Sequence, residues 1–248
     1  MISVILNMYR RPYNLKKQLD AVKAQSVTVR PENIHVWYNN GDIPQNYPED
    51  REIKTYTCSW NTKFWGRFLP ALLCRTEYVA VFDDDVFPAE DWLRNCLDTI
   101  QRPETCGILG GSGILLPGKK GYRPHRKVGW NGLHSDKAEE VDLVGHAWFF
   151  RKEWAKYMWM EPPVTWDNGE DILFSYLAQK YGGIKTFVPP HPENNRKLWC
   201  TDENMSTVSG SDAAASFIGN TGHYGERDRC VDECRKNGWR IKGGGGHV

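Results

Sequence analysis

Three consecutive carboxylates, Asp83-Asp84-Asp85, follow the apolar run Tyr78-Val-Ala-Val-Phe82. Bringing that much like charge to the end of a buried strand is costly unless something compensates it. A divalent cation would do so: Mg²⁺ and Mn²⁺ take oxygen ligands, often one or two carboxylates with phosphates completing the shell. The chemistry is then capture of a metal-bound diphosphate. The alternative is a solvated turn in which Asp85 or a neighbour caps the next helix. A second acidic pair, Glu170-Asp171, stands where Trp166-Asp-Asn-Gly169 runs into an apolar-periodic segment. A helix dipole favours carboxylates there, and capping accounts for one of them. The other is free to face a hydroxyl group.

The flanking segments predict how these acids are positioned. Ile2–Asn7 reads as a buried strand broken by Arg11-Pro12, and Asn14–Val22 has helical spacing. Glu32–Tyr38 reads as a second strand ending at Asn39-Asn40-Gly41, and Ile53–Cys58 as a third. Lys63–Cys74 reads as helical despite Gly66 and Pro70, Tyr78–Phe82 as a strand, and Glu90–Ile100 as a helix. Leu143–Phe150 reads as a strand and Asp171–Tyr181 as a helix. This order implies an α/β chain with a Rossmann-like, mainly parallel twisted sheet and helices on both faces. Strands 1, 2 and 4 end in Asn7 with Tyr9 and Arg10, in Asn39-Asn40, and in Asp83-Asp84-Asp85. Ligands of open α/β sheets bind outside the carboxyl ends of the strands, so three polar ends converge on one edge. Gly107–Gly113 lacks both phosphate-loop spacings and predicts close strand packing. Lys119, Lys120, Arg123, Arg126 and Lys127, with Tyr122 and Trp130 nearby, form a basic stretch. It reads as a solvated loop or as an acceptor-binding loop for something acidic.

The 248 residues carry a net charge of +1, which points to neither nucleic acid nor membrane. Eleven Trp and eleven Tyr offer flat rings for sugar or base faces as well as for the core. The seven cysteines are odd in number and scattered, without a C-x-x-C pair. No apolar run is long enough for a signal stretch or a membrane span, so the expected setting is cytoplasmic, with mostly free thiols. Cys230 and Cys234 lie one helical turn apart and leave a disulfide open. The expected organisation is a nucleotide-sugar half over 1–105, an acceptor and catalytic half of the same domain over 106–240, and a flexible tail over 241–248.

With these segments in order, the chain resembles the exostosin-like family of retaining glycosyltransferases, which have the GT-A fold and a DxD motif. Asn7-Met-Tyr-Arg-Arg-Pro12 is similar to that family's first-strand loop, and Val36-Trp-Tyr-Asn-Asn40 to its Val-Trp-Asn-Asn. Asn61 and Arg67 precede Phe82-Asp-Asp-Asp-Val86 at similar spacing. Leu143–Phe150 resembles its acceptor strand, Asn168-Gly-Glu-Asp-Ile172 its Asn-Cys-Asp-Asp-Ile, and His223 with Glu226-Arg-Asp-Arg-Cys230 its closing segment. The chain departs from the pattern at an extra residue before Asn39-Asn40, at Glu170 in place of Asp, and over the basic Pro117–Glu140 segment, so the acceptor side inherits little.

The resemblance implies a metal-dependent transfer of a hexosyl or N-acetylhexosaminyl group from a UDP-sugar to an acceptor hydroxyl, with retention. It implies Asp85 on Mn²⁺ (or Mg²⁺), Asp83 on ribose or the metal's water shell, Asp84 nearby, and His223 on metal or phosphate or else structural. Arg67 and Arg10 would lie near base or pyrophosphate, Asn39 and Asn61 on uracil or ribose, and Asn7 and Tyr9 beside them. Glu170 and Asp171 would face the reacting sugar, and Arg227 the departing diphosphate. The acceptor is expected to be a glycan, a glycoconjugate or a hydroxylated nucleic-acid base, and the source viral or microbial. Rival readings are a nucleotidyltransferase, which the glycine-free first loop disfavours, and a non-catalytic nucleotide-sugar-binding module.

Overall fold

A computed structural model of the protein describes residues 1–40, 50–130, 132–202 and 221–242. Gly41 and the glycine tail over 243–248 lie outside the described residues. The strands are β1 (Ile2–Met8), β2 (Ile34–Asn39), β3 (Lys54–Cys58), β4 (Tyr78–Phe82), β5 (Val86–Pro88), β6 (Gly107–Leu115), β7 (Arg126–Gly129), β8 (Glu139–Val141), β9 (Leu143–Arg151), β10 (Lys185–Val188) and β11 (Cys200–Asp202). The helices are α1 (Leu15–Lys23), α2 (Trp92–Ile100), α3 (Glu170–Gly182) and α4 (His223–Lys236).

Every residue of β1 and β4 is buried, the pattern of strands covered on both faces. Among the described residues the main sheet runs β3-β2-β1-β4-β9-β6-β10-β8, with β7 beside β6. Its first four strands are all parallel, with Leu6 opposite both Val36 and Phe82. Strand β9 is antiparallel to both β4 and β6. The chain moves from β1 outward to β2 and β3, then returns to β4 on the other side of β1. That reversal opens a crevice at the carboxyl ends of β1 and β4, where the acids emerge.

The glycine run became strand β6, as close packing requires: a methyl group on Gly110 would stand 2.4 Å from Val144 Cβ. Lys63–Cys74 departs from expectation. It folds as a 3-10 helix over Gly66–Leu73, because Pro70 has no N–H to donate to a carbonyl four residues back. Helix α3 begins one residue earlier than expected, behind Gly169 in the left-handed region (φ 83°). A side chain at Gly169 would collide with Cys230 Sγ at 2.6 Å, so this glycine also lets α4 approach α3. All seven cysteines are free thiols, Cys230 and Cys234 included. Among the described residues no helix is long and apolar enough to cross a membrane.

Candidate active site

The acidic turn is anchored from the α1 side. Gln18 Nε2 donates to the carbonyls of Asp83 (2.7 Å) and Val86 (2.8 Å), and Asn14 Nδ2 to that of Asp84 (2.8 Å). With the backbone held, Asp84 and Asp85 turn toward Arg11 and Asp83 turns toward Arg67. Asp84 is buried and takes Arg11 Nη1 at 2.5 Å. Asp85 Oδ2 lies 3.4 Å from the same nitrogen. Asp83 faces Arg67, whose Nη1 stands 2.9 Å from Asp83 Oδ1 but without hydrogen-bond alignment, leaving that buried oxygen without a hydrogen-bond partner. Arg67 Nη2 donates to Glu170 Oε1 at 2.7 Å. The guanidinium also lies 4.7 Å from the Trp148 ring centroid. One buried arginine thus ties the end of β4 to the start of α3.

The second ion pair joins α3 to α4. Arg227 Nη2 donates to Asp171 Oδ2 at 2.6 Å, and Nη1 to Asn168 Oδ1 at 3.1 Å. The other Asp171 oxygen accepts the Ile172 N–H at 2.8 Å. Asn168 Nδ2 lies 3.1 Å from His223 Nδ1. Arg227 packs over the Tyr122 ring at 4.3 Å. Burial opposes the charge of Arg227, yet Asp171 and Tyr122 more than offset this, so its pKa is raised.

Arg67, Asp83, Glu170, Asp171, His223 and Arg227 therefore line one cavity of about 340 Å³. Asn7, Tyr9, Arg10, Asn39, Asn61, Asp84 and Asp85 are not part of its lining. Asn39 and Asn61 belong to a separate network at the ends of β1 and β2. Asn39 donates to Asn61 Oδ1 (3.0 Å) and to the Lys63 carbonyl, and accepts from the Thr62 N–H and hydroxyl. Asn61 Nδ2 reaches the Tyr9 hydroxyl at 2.9 Å. The Asn39 amide is thus spent on shaping this loop, while Arg10 is exposed and lies over Tyr9. Asn7 is buried in β1 opposite Trp37.

Burial, partly offset by Arg67 and reinforced by Asp85, Glu170 and Asp84, pushes the Asp83 carboxyl up to about 8. Burial and Asp171 push Glu170 up to about 6. In the paired set, Arg11, Arg67 and Arg227 face Asp83, Asp84, Asp85, Glu170 and Asp171: three cations against five carboxylates. Among the described residues no three His, Cys, Asp or Glu side chains converge as a metal centre. With Asp84 held closest by Arg11, Asp83 and Asp85 (the latter also 3.4 Å from Arg11 Nη1) are the two carboxylates that would hold an ion drawing its remaining oxygens from phosphate and water. Asp83 Oδ1, which has an ion-pair contact with Arg67 but no hydrogen bond, fits a divalent cation.

His146 sharpens the picture in a way the sequence did not reveal. Gly110 pairs with Trp148 and Ser112 with Gly145, so His146 and Ala147 together oppose Gly111 in a β-bulge. His146 sits at φ 66°, a region that favours glycine. Its carbonyl accepts the Asp83 N–H at 3.1 Å, and its ring packs edge-on against Trp130. Burial, then Lys127, pushes its pKa down to about 4, so the ring is neutral at pH 7. The available signal was a histidine between glycine and alanine in an otherwise apolar strand. His146→Gly should be more stable than His146→Ala by about 0.5–1 kcal/mol, since both lose the ring and only glycine relieves the backbone. Thermal unfolding of the two variants checks this; equal melting temperatures would remove the strain. Sequence reasoning also missed Arg11, because its partners are more than seventy positions away.

A family model described as Glycosyl transferase family 2 matches residues 3–159. Among curated proteins, none matches the chain. Of solved structures, a crystal structure of S. aureus TarS superposes with a TM-score of 0.50 at 18% identity, covering 76% of this chain and 35% of that one. A crystal structure of GalNAc-T7 with UDP, GalNAc and Mn²⁺ superposes with a TM-score of 0.60 at 11% identity, covering 80% of this chain and 45% of that one. The chain thus corresponds to less than half of either neighbour. At these identities the likeness establishes the fold, which is GT-A.

Proposed function

We propose, for a chain that belongs to Glycosyl transferase family 2, transfer of a hexosyl or N-acetylhexosaminyl group from a UDP-sugar to an acceptor hydroxyl, dependent on Mn²⁺ or Mg²⁺. The observation that carries this reading is the convergence of Asp83, Arg67, Glu170, Asp171 and Arg227 on one cavity at the carboxyl edge of the sheet. Asp83 and Asp85 would hold the cation, which when bound neutralises charge on the leaving diphosphate. Arg67 adds a buried positive charge beside Asp83. Asp171 accepts the acceptor's hydroxyl proton, and Arg227 with Asn168 fixes its orientation. Glu170 positions Arg67. The free thiols suit a reducing compartment.

The exostosin-like resemblance implies retention through the family as a whole and not through particular residues. A second reading is inversion in a single displacement with Asp171 as base. Each Asp171 oxygen accepts one hydrogen bond, from Arg227 and from the Ile172 N–H, and keeps a lone pair, which suits a base held in a fixed orientation. The anomeric coupling of the product by NMR separates the two outcomes.

A UDP-sugar panel with Mn²⁺, read as UDP release, tests the function. No release from any donor, with pyrophosphate released instead from a nucleoside triphosphate, would indicate a nucleotidyltransferase; binding without either reaction would indicate a non-catalytic module. UDP affinity should also fall strongly in EDTA, because the acidic turn repels a diphosphate. Calorimetric titration showing equal affinity with Mn²⁺ and with EDTA would sink the metal assignment.

A further inference from the structure

The basic segment that follows β6 is built into the site. The Gly121 N–H donates to Asp232 Oδ1 at 2.8 Å and the Tyr122 N–H to Asp228 Oδ1 at 2.7 Å. Arg235 of the same helix, α4, donates to the Gly118 carbonyl at 3.0 Å. These contacts pin the loop and direct Asp228 and Asp232 to its backbone. Arg123, His125 and Lys127 then line the cavity that holds Asp171. Arg123 lies over Tyr224, and His125 packs on Tyr122. Among the described residues, no carboxylate pairs with Arg123 or Lys127. Two like charges held together on a fixed wall repel each other. Such a cost is sustained where an anion relieves it. Lys127 is open to solvent, yet partial desolvation and then Arg123 depress its pKa. His125 is shifted the same way, by burial first, opposed by the hydrogen bond to the Tyr122 carbonyl and aided by the neighbouring cations, so its neutral ring spends Nδ1–H on that carbonyl at 3.3 Å.

We propose that the acceptor carries a phosphoryl group, bound by Arg123 and Lys127 at the cavity wall while its hydroxyl faces Asp171. The proposal rests on the transferase reading above. A planar guanidinium and a point-charge ammonium supply donors of differing geometry, which suits a tetrahedral oxyanion better than a planar carboxylate. The donor's diphosphate is a second source of the same chemistry, and the experiment separates the two.

The probe is sn-glycerol 3-phosphate, titrated calorimetrically at low ionic strength against glycerol and glucuronate. Glycerol 3-phosphate should bind most tightly, and should still bind when UDP and Mn²⁺ are saturating. Arg123→Ala and Lys127→Ala should each weaken it about tenfold or more. Arg126→Ala, outside the cavity lining, should leave its affinity unchanged. The exposed positions of Arg123 and Lys127 favour folded variants, which thermal unfolding verifies; Lys127→Arg should retain binding. Loss of binding under saturating UDP assigns the cations to the donor and overturns the proposal. Equal binding of glucuronate overturns the phosphoryl choice, and affinity indifferent to Arg123 and Lys127 overturns the site. UDP release by the wild type reports separately on the transferase reading. Release without this phosphate binding sinks the acceptor site alone, and phosphate binding without release from any donor sinks the transferase reading and with it the acceptor role, leaving only an anion site.

Discussion

Asp171→Asn should lower turnover by about 10²–10⁴, the usual contribution of a general base, while leaving UDP affinity unchanged. The asparagine retains the shape of the side chain and can still accept from Arg227, but it cannot take a hydroxyl proton. The variant also leaves the buried Arg227 without its counter-charge, so some stability is lost as well. Three measurements on one preparation separate these effects: UDP release in the presence of acceptor, UDP binding by calorimetry, and melting temperature. Turnover near wild type would remove Asp171 from the chemistry. Loss of UDP affinity together with a collapse in melting temperature would make it a helix-start and ion-pair residue only.

Arg67→Ala should have the largest effect on stability. Arg67 is buried between Asp83 and Glu170, and its removal leaves two carboxylates without their shared cation. Breaking a buried pair in this way costs about 3–5 kcal/mol, against a total stability of about 5–15 kcal/mol. For a chain of this size that is a fall of about 6–20 °C in melting temperature. The loss should depend on pH. The folded-state values of Asp83 and Glu170, about 8 and about 6, already lie above their ordinary 3.8 and 4.5. A carboxyl with a raised folded value contributes stability that is fully present below its ordinary value and is lost as pH rises through the folded one. Without Arg67 both values rise further, so the variant's deficit should be greatest near pH 8 and narrow toward pH 5. His35, His146 and His191, each pushed down to about 4 mainly by burial, act in the opposite sense. They contribute stability above about 6.5 that is lost on acidification; His35 and His191 do so equally in both proteins, whereas Arg67 also lowers the His146 value, so in the variant His146 loses less on acidification and adds to the narrowing of the deficit toward pH 5. A deficit independent of pH, or one widening toward pH 5, would show that Arg67 matters through packing on Trp148 rather than through charge.

The features legible in the chain were local ones. The apolar run of β4 and the acids that end it are adjacent in sequence, and so are Gly169, Glu170 and the apolar period of α3. Periodicity and like-charge adjacency are short-range signals, and they yielded the parallel half of the sheet, the carboxyl-edge site and the acidic residues of both clusters. What each acid faces depends on distant partners. Asp84 turns from the cavity because the register of β1 beside β4 brings Arg11 to it. Asp83 and Glu170 share one cation because the Gly66–Leu73 helix carries Arg67 between them, and those two carboxylates are 87 positions apart in the chain. Asn39 spends its amide on the Thr62–Lys63 backbone, and the bulge at His146 anchors the Asp83 N–H. Residue types along the chain set how much charge had to be buried; only strand order and register, which act between distant segments, decided which opposite charge each carboxylate would meet.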